Sequence, residues 1–145
     1  MNHIEVVRIM FVDGIHRVLF EERKGLSNNG FNWDYLLFGG KLESGELPED
    51  AIKREIIEEL AYELRRDEFR HLGAYEAILP GYKTTDHVYV ARFPGFNKIR
   101  SLESRTIALM DLYSARRTKI PPIYHQIFQD LETALRDSNF LSVLK

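Results

Sequence analysis

The chain has 145 residues, of which 44% are hydrophobic and 29% charged, with a net charge of −2 and no cysteine. That length and balance suit one folded domain, 1–145, with a real apolar core. They exclude a disulfide scaffold or a thiolate zinc site, and they argue against a DNA or RNA strand as partner, since no strong basic field is present.

The first stretch, MNHIEVVRIM, lacks a signal-peptide pattern. No apolar run approaches membrane-spanning length, so a cytoplasmic protein with no membrane partner is expected. Ile4 to Val12 is β-branched and apolar, which predicts a buried strand. Asp13-Gly14 predicts a hairpin turn in which Gly supplies a positive φ. Arg17 to Glu22 predicts the returning strand, ended by Arg23 and Lys24. Gly25 to Gly30 is turn-rich, and Phe31 to Phe38 predicts a short strand. Trp33 and Tyr35, two apart, would then share one strand face and could stack on a nucleobase. Aromatics so placed also serve as plain strand packing.

Gly39-Gly40 lets the backbone turn tightly and approach a ligand. Pro48 suits a first helical position, and Glu49 and Asp50 suit the positive end of the helix dipole. Leu47 is a poor N-cap, so the preceding loop is expected to fix the helix start. The helix is predicted over 48–64, with Ile52, Ile56 and Leu60 as the buried stripe and Ile57 on its flank. Arg65-Arg66 would complement its negative end. Glu55, Glu58 and Glu59 stand at i, i+3 and i+4, so the three carboxylates share a face and repel. A hard divalent cation would relieve that repulsion. Taken alone, an acidic helix face could simply meet water.

The spacing around that face is more specific. Gly40, Glu46, Arg54-Glu55-Ile56 and Glu58-Glu59 stand in a register that resembles the Nudix box, G-x5-E-x7-R-E-U-x-E-E-x-G-U, where U is a bulky apolar residue. Ala61 and Tyr62 stand where that pattern has Gly and an aliphatic residue, and Phe38 replaces a Pro that often precedes the glycines. Ala for Gly at a helix end is a mild change unless φ is positive there. The resemblance implies a Nudix fold, an α/β/α sandwich with a mixed β-sheet. It implies hydrolysis of a nucleoside diphosphate linked to another moiety, with water as nucleophile and Mg²⁺ or Mn²⁺ as cofactor. The implied metal ligands are Glu55, Glu58, Glu59 and the Gly39 carbonyl. Glu58, Glu55 or a loop acid such as Glu103 would be the general base. Gly40, Glu46 and Arg54 would be structural, with Glu46 bracing the loop through Arg54. Arg54 would orient the cluster while pointing off the carboxylate face. Arg23 could reach a phosphate. The implied partner is a small phosphorylated nucleotide, and a homodimer is allowed because dimers are common in that family. Two alternatives from other classes stay open: a catalytically silent Nudix-like nucleotide-binding or regulatory domain, and a structural protein with an accidental acidic helix.

Further on, His71 to Pro80 and His87 to Phe93 predict two strands around Gly81-Tyr82-Lys83, and Thr106 to Met110 predicts another. Asp111 to Arg117 suggests a short helix or turn. Pro121-Pro122 starts a last helix, with Ile123, Ile127, Leu131 and Leu135 stepping by four and Phe128 and Ala134 alongside. The tail from Asp137 is short and expected to fray.

Overall fold

The computed structural model describes residues 2–23, 32–102 and 105–144. Strand β1 (Asn2–Val12) lies at the centre, and strands β2 (Val18–Glu22), β4 (Phe38–Lys41) and β6 (Tyr82–Arg92) all pair with it. β6 runs parallel to β1 and the other two run antiparallel, so the sheet is mixed. Strands β3 (Tyr35–Leu36) and β7 (Thr106–Met110) pair with β2, and β5 (Phe69–Leu79) forms a hairpin with β6.

Alternation along β1 sends its side chains to two cores. Val7, Ile9 and Phe11 pack under helix α1 (Pro48–Leu60) with Ile52, Ile56 and Leu60. Met10 and Val12 pack on the opposite face with helices α2 (Leu112–Arg116) and α3 (Ile123–Leu135). The sheet is therefore enclosed by helices on both faces, an α/β/α sandwich. On α3 the deepest residues are Tyr124, Ile127, Phe128 and Leu131, while Ile123 and Leu135 are only partly buried. The buried stripe is thus rotated from the predicted one, because aromatic side chains fill the deepest space. Asp111 caps α2 by accepting from the Ser114 N–H at 2.7 Å.

Several boundaries differ from expectation. In the first hairpin, His16 and not Gly14 takes the positive φ, 65°. Asp13 sets this turn with its side chain, accepting from the N–H groups of Ile15 and Arg17. β6 begins at Tyr82, so Pro80-Gly81 alone make the second turn. From Asn32 to Phe38, the described part of the predicted strand, the chain is not one strand: Tyr35–Leu36 and Phe38–Lys41 are separate, and Gly39-Gly40 lie inside β4 instead of in a turn. The tail is held down as far as residue 144. Phe140 and Leu144 are buried, Arg70 stacks on the Phe140 ring, and Arg92 Nε donates to the Leu141 carbonyl at 2.8 Å.

Helix α1 stops at Leu60, not Leu64, so Arg65-Arg66 lie beyond its last turn. Ala61 takes φ 53° and ψ 34°, the left-handed conformation, and its N–H donates to the Ile57 carbonyl. The substitution of Ala for the usual Gly is therefore not mild, since Cβ opposes this conformation by about 1–2 kcal/mol. Ile57, expected on the buried flank, is 50% exposed. The start of α1 has no side-chain cap on Leu47, as expected. Ala61→Gly should stabilise the protein by about 1 kcal/mol after the extra chain entropy of Gly is subtracted. A rise in Tm of about 3 °C by calorimetry would show it; no change or a fall would mean that the cap carries no strain.

Candidate active site

Two glycines set how closely α1 can approach the sheet. In β4, Gly39 has φ 144°, and a Cβ there would overlap the Val7 carbonyl of β1. A Cβ on Gly40 would lie 2.5 Å from Glu55 Oε1. Close approach, to β1 in one case and to a helix carboxylate in the other, is what requires glycine at these positions.

Glu59 lies in this seam and is only 7% exposed. Its Oε1 accepts from the Gly39 N–H at 2.9 Å, and its Oε2 stands 3.6 Å from Arg105 Nη1. Burial pushes its carboxyl up to about 8; the Gly39 N–H and Arg105 pull it down, while Glu55 and Glu21 push it further up. Arg105 also pairs with the buried Glu21 at 2.6 Å, and Arg23 Nη1 donates to the other oxygen of Glu21 at 2.7 Å. Glu21 and Arg105 were not singled out in the sequence. The available signal was an acid at the inward phase of an apolar strand, Val18 to Glu21.

The helix end is tied to the same place. Arg100 N–H donates to the Leu60 carbonyl and Leu102 N–H to the Glu59 carbonyl, at 2.8 and 3.0 Å. These bonds satisfy two of the carbonyls that a helix end leaves open. Through them the chain before β7 is brought alongside α1. Glu103, named above as a candidate base, lies outside the described residues, as does Lys24.

Arg54 organises the outer side. Its Nε and Nη2 donate to the two oxygens of Glu46 at 2.8 and 2.9 Å, and Nη2 also donates to the Lys41 carbonyl at 3.1 Å. Its Nη1 donates to Glu55 at 3.0 Å and Glu58 at 3.5 Å. Arg54 therefore does not point off the carboxylate face: its guanidinium lies between the loop and two of the three acids. The Arg54 hydrogen bonds pull the Glu46 carboxyl down to about 2. Glu46 in turn accepts from the Glu43 N–H at 2.9 Å, which closes the loop before α1.

Glu55 and Glu59 thus meet the Gly40 and Gly39 backbone from one helical turn, while Glu58 stays on the exposed side with Arg54. In donor chemistry the three suit a hard divalent cation, since every candidate side-chain donor is a carboxylate and one is buried beside a backbone strand. Among the described residues, no three of His, Cys, Asp or Glu already converge as a metal cluster. Glu55 and Glu58 turn toward Arg54, and Glu59 toward Gly39 and Arg105.

A cleft of about 1070 Å³ opens beside this seam, on the α3 face of the sheet. Gly40 and Lys41 form one wall, with Trp33, Tyr75 and the Pro121-Pro122 start of α3 among the others. Trp33 is not in a strand, since β3 begins at Tyr35: Trp33 lines the cleft, whereas Tyr35 packs edge-on to Phe20 at 6.2 Å. The cleft is lined by further polar residues that the sequence did not flag, Arg8 of β1 with Thr84 and Asp86 of β6. Asp86 is buried, which raises its carboxyl above the usual range; Arg8 and the Thr84 hydroxyl act against that.

Comparison with known proteins assigns the class. The NUDIX domain family model matches residues 1–131. The chain belongs to the Nudix family and is a Nudix-type pyrophosphohydrolase, the class that cleaves nucleoside diphosphates linked to another moiety. Among solved structures, the MutT NUDIX hydrolase from Burkholderia pseudomallei shares 27% identity with a TM-score of 0.66, over 91% of this chain and 98% of that one. The MutT protein from Methanosarcina mazei Go1 superposes with a TM-score of 0.76 at 16% identity, over 91% and 94% of the two chains. The E. coli ORF135 protein matches with a TM-score of 0.73 at 21% identity, over 95% and 94%. These last two likenesses concern the fold.

Glu46→Gln tests the clamp. The folded pKa of Glu46 lies below its free value of 4.5, at about 2, so its stabilisation is present above pH 4.5 and is lost as pH falls toward 2. The variant should lose about 1 kcal/mol at pH 7, the upper scale of a solvent-screened ion pair. By urea titration the difference from wild type should vanish near pH 2. A deficit that persists unchanged in acid would assign the loss to packing.

Proposed function

We propose that this chain, acting as one domain over residues 1–145, is a metal-dependent hydrolase of a small nucleotide. Its substrate is a nucleoside triphosphate, a nucleotide sugar or a dinucleoside polyphosphate, and its cofactor Mg²⁺ or Mn²⁺. One observation carries this reading: Glu55 and Glu59 meet the Gly39-Gly40 strand, and Gly40 is also a wall of the large cleft. Carboxylates that meet a backbone strand which also walls a ligand-sized cleft suit a substrate anchored by its phosphates.

Glu55, Glu58 and Glu59 with the Gly39 carbonyl would hold the ion. When bound, it supplies positive charge against the phosphoryl oxygens as the pyrophosphate bond breaks. The rest falls to the chain. Arg54 keeps Glu55 and Glu58 on the loop side of the helix while anchored on Glu46. Glu58 is the most exposed of the three acids, with its side chain 56% accessible, so it can meet a water molecule directly. Glu58, Glu55 or Glu103 takes the proton from the attacking water. Arg23 lies at the end of β2 beside this network, where it can balance a phosphate, and Trp33 in the cleft offers a face to the nucleoside. Among the described residues no helix is long and apolar enough to cross a membrane. We read the protein as cytoplasmic, with neither a membrane nor a nucleic-acid strand as partner; a homodimer is compatible with this site.

Turnover of a panel of nucleoside triphosphates, nucleotide sugars and dinucleoside polyphosphates should appear with Mg²⁺ and vanish with a chelator. Glu58→Gln should lower kcat by about 100-fold or more, the lower end of what a general base supplies, while its circular dichroism and melting stay near wild type. Near-normal turnover in Glu58→Gln would remove Glu58 from the site. Nucleotide binding without any turnover would favour the silent binding domain.

A further inference from the structure

The polar pair in the cleft is placed unlike an ordinary surface ion pair. Arg8 Nη1 donates to the Leu37 carbonyl at 3.1 Å, which fixes the guanidinium against the sheet. Its Nε lies 4.0 Å from Asp86 Oδ2, beyond hydrogen-bond reach, and has no hydrogen-bond partner among the described residues although it is buried. Arg8 and Asp86 each line the cleft, as does Thr84 one inward position along β6. Most of the remaining wall is apolar or aromatic. A buried donor left without an acceptor is costly. An acid and a guanidinium side by side in a mostly apolar cleft are the pattern by which a site orients one ligand edge.

We propose that Arg8 and Asp86 are specificity-determining residues that read the edge of a planar heterocycle, and that the preferred edge is a lactam, a ring carbonyl beside a ring N–H. Arg8 donates to the carbonyl oxygen and Asp86 accepts from the N–H. The lactam is chosen over an amino-imine edge for a chemical reason. A lactam N–H is more acidic than an exocyclic amine, so it makes the stronger charge-assisted bond to a carboxylate. A carbonyl oxygen likewise offers two lone pairs to a guanidinium, where a ring nitrogen offers one. Guanine, hypoxanthine, uracil and thymine carry such an edge; adenine and cytosine do not. This inference rests on the reading of the cleft as the nucleoside site of the hydrolase, and it adds which nucleosides that site takes.

Calorimetry without metal tests it on the wild type, using the 5′-monophosphates of uridine, guanosine, inosine, cytidine and adenosine, with ribose 5-phosphate as the base-free control. The first three should bind about tenfold more tightly than the last two nucleotides, the scale of one buried group left unpaired. In Asp86→Asn and in Arg8→Gln that difference should shrink to about twofold, with ribose 5-phosphate unchanged and melting within a few degrees of wild type. Equal or tighter binding of adenosine and cytidine monophosphates by the wild type would overturn the proposal, as would absence of binding by any of them. So would variants that weaken every ligand alike, including ribose 5-phosphate. Turnover of the matching triphosphates with Mg²⁺ separates the two readings. Normal turnover without base preference sinks the edge-reading and leaves the hydrolase; the preference in binding with no turnover of any substrate does the reverse.

Discussion

The burial of one carboxylate, Glu59, between a strand N–H and a guanidinium is the constraint on which this site depends. An acid that is 7% exposed cannot be left to water, so its partners must be supplied by the fold. Gly39 supplies one from β4, and Arg105 supplies the other from the start of β7. A helix, a strand and a returning loop are thereby brought to a single point. The two bonds from Arg100 and Leu102 to the end of α1 hold the helix and the returning loop together through the backbone.

From that point outward, charge is balanced in layers. Arg105 is shared with Glu21, which is itself held by Arg23. On the exposed side Arg54 is shared among Glu46, Glu55 and Glu58. Neither guanidinium belongs to one partner, so the acids stand close together without a full local charge. Such an arrangement keeps carboxylates folded and available. It also places most of the ordering demand on the loop from Lys41 to Glu46, which Arg54 grips by a backbone carbonyl and a side chain at once. The cleft beside it follows from the sheet. β1 passes from the apolar core, through Met10 and Val12, to the open end where Arg8 and Val6 line empty space. The same strand that packs the core thus floors the cleft, and the pair that floors it sits on a rigid element.

Much of this was legible in the chain. The apolar run from Ile4 to Val12, the 3.6-residue stripe of Ile52, Ile56 and Leu60, and the register of Gly40, Glu46, Arg54, Glu55, Glu58 and Glu59 are local patterns. The first two follow from backbone periodicity, which can be counted along the chain, and the third is a motif read by its resemblance to the Nudix box. The errors arose where a local cue was outvoted. Gly39-Gly40 carries a turn composition, yet both residues pair with β1, because only residues without a side chain let the two strands and Glu55 come so near. Ala61 carries a helix-former composition, yet it ends the helix, because the chain must leave there to reach β5.

Periodicity placed the helix and set its three acids on one face, since that depends on neighbours within one or two turns, and the resemblance of the motif around it pointed to the class. Pairings across long stretches of chain were settled by folding alone. Glu21 with Arg105 and Arg8 with Asp86 come from segments that meet only in the completed sheet, and although Glu21 stands out in its apolar strand, nothing near it in the chain names its partner. A periodic pattern says which way a side chain points; which distant charge it will face depends on strand order and register.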